Sequence, residues 1–231
     1  MKPHISKQMS FEKSVFKVGA VDPGKTNPAA WLGLCDVKNA KVTTLWGAAS
    51  EDITAPAKES RGAKKGEATI CEVGVEIGKL LAEKCDGVDG VVVETPATFT
   101  GKGCFVNVGA AVGAGATYGY LCGKGIPNVC MSHSRTKSRA MDYFAEVMGM
   151  ALQEHVAGTD KAAKAKNRLI NKRNSKAVVE MLLRFSGDEA GMNLMETHSD
   201  KRDDLCDAIL LACGTCIPTK TKKSSKKQSK L

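Results

Sequence analysis

Two short apolar segments that each end in a carboxylate place the strongest constraint on how this chain can fold. One runs from Val18 to Asp22 (Val-Gly-Ala-Val-Asp) and the other from Gly90 to Glu94 (Gly-Val-Val-Val-Glu). Runs of this length and composition predict buried central strands. Because a carboxylate at the end of a buried strand is unfavourable without a partner, we expect both acids to meet other charged groups at one edge of a sheet.

The order of the predicted elements favours a mixed sheet covered by helices. Strands are predicted at 14–22, 29–36, 41–47, 90–94 and 128–132, with a hairpin turn at 37–40. Helices are predicted at 67–84, 105–123, 136–156, 172–185 and 202–213, and the polar, basic segment 51–66 is predicted to be a loop. Three successive strands followed by alternating helices and strands indicate an α/β fold, an αβα sandwich around a mixed five-stranded sheet.

The length of 231 residues suffices for one α/β domain with a full core. We expect residues 1–13 to be a flexible leader, 14–216 the folded domain and 217–231 a basic, disordered tail, since the last 15 residues hold six lysines and no acid. No continuous apolar run approaches the roughly 18 residues of a transmembrane helix, and the N-terminus lacks the apolar stretch of a signal peptide. These features predict a protein that is not inserted in a membrane.

Charge and cysteine content narrow the function and the compartment. The formal net charge of +9 predicts a polyanionic partner, either nucleic acid or an anionic membrane surface. Nine scattered cysteines, an odd number, favour an intracellular, reducing compartment. Cys213-Gly-Thr-Cys216 is the only CxxC in the sequence, and without a second pair or a histidine pair at finger spacing it indicates ordinary thiols at a helix end more than zinc.

A second pair of acids extends the set formed by the strand ends. Asp204 and Asp207 lie three residues apart on a predicted helix, so they project from one face. Together with Asp22 and Glu94 they supply four oxygen donors, which suit Mg²⁺ or Mn²⁺. Two such ions about 3.5–4 Å apart can hold the attacking and leaving oxygens of a phosphodiester. Combined with the positive charge, this pattern makes a nuclease the first hypothesis.

Each acid also has an ordinary structural interpretation. Asp22 could cap a turn in Asp-Pro-Gly-Lys, and Glu94 could be a solvated charge at a strand end. Asp203 and Asp204 could be acids favoured by the dipole at a helix N-terminus. Asp203 lies one residue off the face of the predicted pair and is the weakest candidate.

The segment Gly19–Thr26 (Gly-Ala-Val-Asp-Pro-Gly-Lys-Thr) matches the phosphate-binding pattern G-x-x-x-x-G-K-[ST] after a predicted strand. A nucleotide-binding protein is therefore a rival class. Two features argue against it: Asp22 would aim a negative charge into an anion site, and the residues after Pro28 predict a strand, whereas this loop must lead into a helix.

Basic residues follow the fifth predicted strand and recur on the long helical segment after it. Arg135, Lys137 and Arg139 lie just beyond the strand end. Of these, Lys137 is the candidate for neutralising charge on a phosphate near the active edge. Arg135 and Arg139 are candidates for DNA contacts.

Eight Lys or Arg residues lie between Lys161 and Arg184, and they include Lys172, Arg173 and Lys176. Such a segment can line a groove for a phosphate backbone, with salt-dependent binding. The alternative is a solvated helix face. Few aromatic residues accompany these cations, so contacts to the backbone and shape of the nucleic acid are expected rather than base stacking.

Taken together, the motifs resemble those of the RuvC-like Holliday junction resolvases of the RNase H-like superfamily, and most of all the resolvases of poxviruses and other large DNA viruses. The resemblance is carried, in order from about residue 15 to 213, by the segments 21–29 (Val-Asp-Pro-Gly-Lys-Thr-Asn-Pro-Ala), 91–94 (Val-Val-Val-Glu), 132–139 (Ser-His-Ser-Arg-Thr-Lys-Ser-Arg), 171–178 (Asn-Lys-Arg-Asn-Ser-Lys-Ala-Val) and 200–210 (Asp-Lys-Arg-Asp-Asp-Leu-Cys-Asp-Ala-Ile-Leu). The segment 51–66 and the two tails depart from the family pattern.

The resemblance implies a homodimer that binds four-way DNA junctions and makes paired, symmetric nicks with Mg²⁺ or Mn²⁺, two ions per active site. Residues 14–216 would be the RNase H-like nuclease domain. The resemblance assigns metal ligation to Asp22, Glu94, Asp204 and Asp207, and an auxiliary catalytic role to Lys137, with Arg135 and Arg139 as adjacent alternatives.

Two other functions stay open on this pattern. The same fold could serve an RNA/DNA-hybrid nuclease, and the chain could be a DNA-binding module without catalysis. A viral source, if the resemblance extends that far, would place the protein in the host cytoplasm or nucleus.

Overall fold

The structure, a computed structural model, describes residues 13–23, 28–49, 51–59, 69–95 and 108–218. Within these ranges the strands are β1 (Val15–Asp22), β2 (Ala29–Asp36), β3 (Lys41–Ala49), β4 (Gly90–Thr95) and β5 (Val129–His133). The helices in the same ranges are α1 (Glu51–Glu59), α2 (Ile70–Ala82), α3 (Val108–Gly123), α4 (Arg135–Val147), α5 (Lys161–Ser186), α6 (Glu189–Thr197) and α7 (Arg202–Cys216). The predicted leader and tail lie almost wholly outside the described residues.

The strands form one mixed sheet in the order β3-β2-β1-β4-β5. β2 pairs antiparallel with β1 and β3, and β4 pairs parallel with β1 and β5. The predicted turn at 37–40 joins the antiparallel pair β2–β3. The parallel pairs need crossover connections, which run through α2 and α3.

Alternation along the central strands divides the core into two layers, since successive strand residues point to opposite faces. Ala20 and Val92 pack in the layer that contains α4, α5 and α7. Val21 and Val93 pack in the layer that contains α1, α2 and α3. Helices thus cover both faces of a five-stranded mixed sheet, and the predicted αβα architecture is confirmed.

Close helix packing depends on glycines at two positions. A Cβ at Gly214 of α7 would collide with the Thr136 carbonyl of α4, so this glycine lets α7 lie directly against the N-terminal turn of α4. A Cβ at Gly74 of α2 would collide with the Gly113 carbonyl of α3. The small residues of α3 were expected to allow close packing on the sheet; their tightest contact is instead with α2.

Several predicted element boundaries were wrong. Residues 51–59 form α1 rather than a loop, with Ile53 and Ala57 buried one turn apart. The helix predicted at 136–156 ends at Val147, because Gly149 adopts a left-handed φ of 66° that terminates it. Helix α5 begins at Lys161 rather than 172, since the Asp160 side chain caps it by accepting from the Ala163 amide. Helix α6 was not predicted.

The eight cysteines in the described ranges are free thiols. Cys213 and Cys216 are buried at the end of α7, where their thiols contact that of Cys35 on β2. In the part of the chain that the structure describes, no helix has the length and apolar character needed to cross a membrane.

Candidate active site

The register of the parallel pair places two acids side by side. Val21 of β1 pairs with Val93 of β4, so the next residues, Asp22 and Glu94, lie adjacent at the same edge of the sheet. Both carboxyl groups point to the layer of α4 and α7, and they lie close enough for the charge of Glu94 to act on Asp22. Glu94 is only 8% exposed, so it is not a solvated strand-end charge.

Lys137 lies at the centre of the acidic cluster. It belongs to the first turn of α4, which directly follows β5. Its Nζ lies 3.0 Å from Glu94 Oε2, 2.7 Å from Asp207 Oδ2 and 3.6 Å from Asp22 Oδ2. One ammonium therefore bridges carboxylates from two strands and one helix.

Helix α7 presents the remaining acids from its first turns. Asp207 forms an ion pair with Lys137. Asp204 lies one turn earlier, where the charges of Asp22 and Asp207 raise its pKa. Asp203 points elsewhere and forms an ion pair with Lys172 of α5. The structure thus brings the four predicted acids to one edge of the sheet and separates Asp203 from Lys137, as its position along the helix indicated.

The electrostatics of the cluster follow from burial and crowding of like charges. Burial, together with the neighbouring charge of Glu94, raises the pKa of Asp22 to about 7, although Lys137 opposes this shift. Burial and the charges of Asp203 and Asp22 raise the pKa of Asp204 to about 7. The pKa of Asp207 is raised by burial against the opposing effect of Lys137.

The same crowding of charges favours the charged form of Lys137. Burial alone would lower its pKa, but Asp207, Asp22 and Glu94 together raise it above the usual range for lysine. The ammonium is therefore charged throughout the neutral range. Once Asp22 and Asp204 ionise above about pH 7, the acids around it carry more negative charge than it neutralises. The cluster has the electrostatic character of a cation site.

The donor set fits a hard divalent cation, because carboxylate oxygens already surround a buried positive charge at this edge. Within the described ranges, no group of three or more acidic, histidine or cysteine side chains is spaced to hold a metal ion in the present geometry. The predicted roles of Asp22, Glu94, Asp204 and Asp207 as metal ligands, and the two-ion occupancy, stay predictions.

The residues predicted to contact DNA differ in their surroundings. Arg135 is exposed at the start of α4, and Arg173 is exposed on α5. Lys172 pairs with Asp203, and Lys176 lies 3.9 Å from Glu180 one turn along the same helix. Arg139 is half-buried and donates to the Gly214 carbonyl, so its guanidinium is held against α7.

Sequence reasoning missed one residue beside the cluster. Ser132 of β5 pairs with Glu94 of β4, and its hydroxyl lies 2.7 Å from the Thr136 hydroxyl. This contact ties the first turn of α4 to the sheet and fixes the position from which Lys137 reaches inward. The available signal was the strand register, which the sequence alone does not give.

The phosphate-binding pattern at 19–26 does not have the structural context that nucleotide binding requires. The element after β1 is the antiparallel strand β2, which begins at Ala29, and not a helix. Lys25 and Thr26 lie outside the described residues. The nucleotide-binding alternative therefore lacks support.

No protein-family model matches the sequence, and no curated protein matches it. Among solved structures, the yeast mitochondrial Holliday junction resolvase Ydc2 matches with a TM-score of 0.54 and 13% sequence identity, over 87% of this chain and 79% of that chain. The chain shares the fold of that yeast protein.

Two structures of Thermus thermophilus RuvC also match, one alone and one in complex with a Holliday junction substrate. Their TM-scores are 0.48 and 0.46, with 18% and 16% identity, over 87% of this chain and 92% and 91% of theirs. These three structures are of bacterial and yeast mitochondrial proteins. The resemblance to the poxvirus type and the viral source stay predictions.

Proposed function

We propose that this chain is a metal-dependent endonuclease that resolves four-way DNA junctions by paired, symmetric nicks. The observation that carries the proposal is the cluster of carboxylates around Lys137, formed at one sheet edge of a fold shared with a junction resolvase. A cluster with excess negative charge suits divalent ions, and the basic surface of the chain suits a polyanion.

Each acid has a distinct position relative to the metals that it would hold. Asp22 and Glu94 come from adjacent strands and form the floor of the site, while Asp204 and Asp207 close it from α7. Mg²⁺ or Mn²⁺, when bound there, supplies a Lewis acid and an activated water. The carboxylates exclude other anions from the site until metal is present, because their own charges repel a phosphate.

The cations of the chain act on the DNA. Lys137 neutralises charge on the scissile phosphate. Arg135 lies two residues before it at the exposed start of α4, where it can contact a neighbouring phosphate. Arg173 and Lys176 extend the basic surface along α5.

A homodimer completes the proposal, because two sites related by a two-fold axis can cut two strands symmetrically. The compartment proposed is intracellular and reducing, in keeping with the free cysteines of the described ranges.

The decisive experiment compares three substrates under a titration of Mg²⁺ and Mn²⁺: a four-way junction, a plain duplex and an RNA/DNA hybrid. We expect preferential, paired cutting of the junction. Preference for the hybrid would replace the proposal with a hybrid nuclease of the same fold, and a wild-type protein that binds the junction but never cuts it would indicate a binding module.

The variant Asp207→Asn separates catalysis from binding. We expect it to lose cleavage while it still binds the junction in Ca²⁺, because the substitution removes one metal ligand and leaves the basic surface unchanged. Undiminished cleavage by this variant would contradict the proposed site.

A further inference from the structure

Lys137 holds its position in the cluster against two unfavourable effects. It lies in the first turn of α4, where the helix dipole disfavours a cation. Its side chain is only 14% exposed, so the ammonium has lost most of its hydration. The carboxylates of Glu94, Asp207 and Asp22 offset both effects, which makes the ammonium the counter-ion of the cluster.

The ammonium and a metal ion compete for the same oxygens. Nζ has Glu94 Oε2 and Asp207 Oδ2 as hydrogen-bond acceptors, at 3.0 and 2.7 Å. A magnesium ion needs carboxylate oxygens at about 2.0–2.1 Å in a near-octahedral arrangement. A divalent charge among these oxygens would also repel an ammonium a few ångströms away. The present arrangement therefore excludes simultaneous occupation.

We propose that Lys137 is a stand-in cation, which occupies the metal pocket of the DNA-free protein, keeps its carboxylates gathered, and leaves the pocket when a divalent ion binds. The inference rests on the proposed function and adds a regulatory role to a residue otherwise assigned to phosphate neutralisation. The four-carbon stem of lysine allows the displacement without movement of α4.

A phosphate of the bound DNA provides the displaced ammonium with a new partner. Metal and DNA therefore favour each other's binding, and by thermodynamic linkage the coupling is the same in both directions. The DNA-free protein binds metal weakly, which confines metal loading to the complex with substrate.

Metal titration without DNA tests the inference directly. Mn²⁺ alone is titrated by calorimetry into the wild type, K137M and K137R, and thermal unfolding is recorded with and without Mn²⁺. Methionine keeps the length of the side chain and removes its charge, so we expect K137M to bind Mn²⁺ about tenfold more tightly. We expect K137R to keep the fold and to bind Mn²⁺ no more tightly than the wild type, because arginine retains the charge.

The matched control is K172M. Lys172 pairs with Asp203 beside the same cluster, and its charge acts on Asp204 and Asp207 without a direct ion pair to either among the described residues. Its loss removes one positive charge at longer range, so we expect a change in Mn²⁺ affinity of less than about threefold. An equal effect of K172M and K137M would indicate a general charge effect and overturn the stand-in role.

Other outcomes separate this inference from the proposed function. If K137M binds Mn²⁺ no more tightly than the wild type, while the wild type cuts junctions, the stand-in role is wrong and the nuclease proposal stands. If neither protein binds Mn²⁺ and the wild type never cuts, both fail. If K137M does not fold, K137R is the test. Tighter Mn²⁺ binding by K137R than by the wild type would contradict the proposal, because arginine retains the positive charge that should compete with the metal.

Discussion

At the scale of single residues, the raised pKa of Asp22 makes the stability of the protein depend on pH. The folded protein holds a proton on Asp22 up to about pH 7, whereas the unfolded chain releases it near 3.8. The folded state therefore binds more protons between these values, and Asp22 makes the metal-free protein less stable as pH rises from about 4 to 7. The Lys137 ammonium, 3.6 Å from Asp22, offsets only part of this effect.

The variant D22N tests this account. Asparagine cannot ionise, so in EDTA at pH 8 we expect its free energy of unfolding to exceed that of the wild type by on the order of 1–2 kcal/mol. At about pH 3, below both the unfolded and the folded pKa of Asp22, the two proteins should be nearly equal in stability. Urea unfolding at both pH values gives the measurement, and a difference that does not depend on pH would contradict the raised pKa.

Asp203 and Asp207 permit a second comparison on one helix. Asp203 pairs with Lys172, whereas Asp207 faces the ammonium of Lys137. We expect D207N to slow junction cleavage by roughly a hundredfold or more, about 2.7 kcal/mol of transition-state stabilisation. D203N should slow it far less. Single-turnover cleavage rates in Mn²⁺ give the measurement. Equal losses of rate in D203N and D207N would mean that both acids bind the metal.

At the scale of elements, the connection between α4 and α5 is held by asparagines that the sequence did not single out. Asn167 and Asn174 of α5 each accept from and donate to the backbone of one residue in the preceding segment, Val156 and Gln153. These reciprocal contacts fix the segment along α5 and leave the opposite face of the helix to its basic side chains.

Replacing Asn174 should therefore be costly. Asn174 is 5% exposed, and N174A removes both hydrogen bonds to Gln153 while leaving its amide and carbonyl without those partners. We expect a loss of about 2 kcal/mol, or about 4–8 °C in Tm. The matched control is N171A, since Asn171 is exposed and contacts only the His155 ring. An equal loss of stability in both variants would show that the hydrogen bonds to the Gln153 backbone do not stabilise the fold.

The strands were easier to predict from the sequence than the ends of the helices. The central strands were predictable because their alternation and β-branched composition are local features. The end of α4 and the start of α5 were misplaced because Gly149 and Asp160 act through backbone conformation and capping, which a periodicity of apolar residues does not detect. Helix α1 was missed because Pro56 and the basic residues after it predict a loop.

At the scale of the whole molecule, the acids of the candidate site were predictable but their arrangement was not. Their positions at strand ends and on one helix face indicated convergence. The central place of Lys137 depends on the contact between α4 and α7 at Gly214, which is tertiary. The sequence favoured Lys137 and left Arg135 and Arg139 as adjacent alternatives, and the fold directs the lysine into the cluster.

The cysteines of the described ranges divide into buried and exposed thiols, which should differ in reactivity. Hydrogen bonding with Cys213 raises the pKa of Cys35, and hydrogen bonding with Cys35 together with burial raises the pKa of Cys216. Thiols held in the protonated state react slowly. In the native protein we therefore expect Ellman's reagent to modify the exposed Cys71, Cys122 and Cys130 and to spare the buried thiols of the described ranges until urea is added, as peptide mapping would show. Zinc retained stoichiometrically by Cys213 and Cys216 would contradict this assignment.

Helix α3 offers a candidate surface for the proposed homodimer. The helix has no charged residue along Val108–Gly123, in a chain of net charge +9, and Val112 on it is 46% exposed. A Cβ at Gly115 or Gly119 would have no atom of the described residues within 4 Å, so no described part of the chain fills this face. An uncharged face is where two strongly positive copies can approach with least repulsion.

The variant G115E makes the homodimer testable without damage to the monomer. Glutamate is a better helix former than glycine, so we expect the stability of the monomer to stay equal or to rise by up to about 1 kcal/mol. Two opposed glutamates would instead disrupt an interface at α3. Sedimentation should show a dimer for the wild type and a monomer for G115E, and the variant should lose the pairing of its nicks. A dimeric G115E would move the interface away from α3, and a monomeric wild type, with or without junction DNA, would remove the two-fold basis for symmetric cutting.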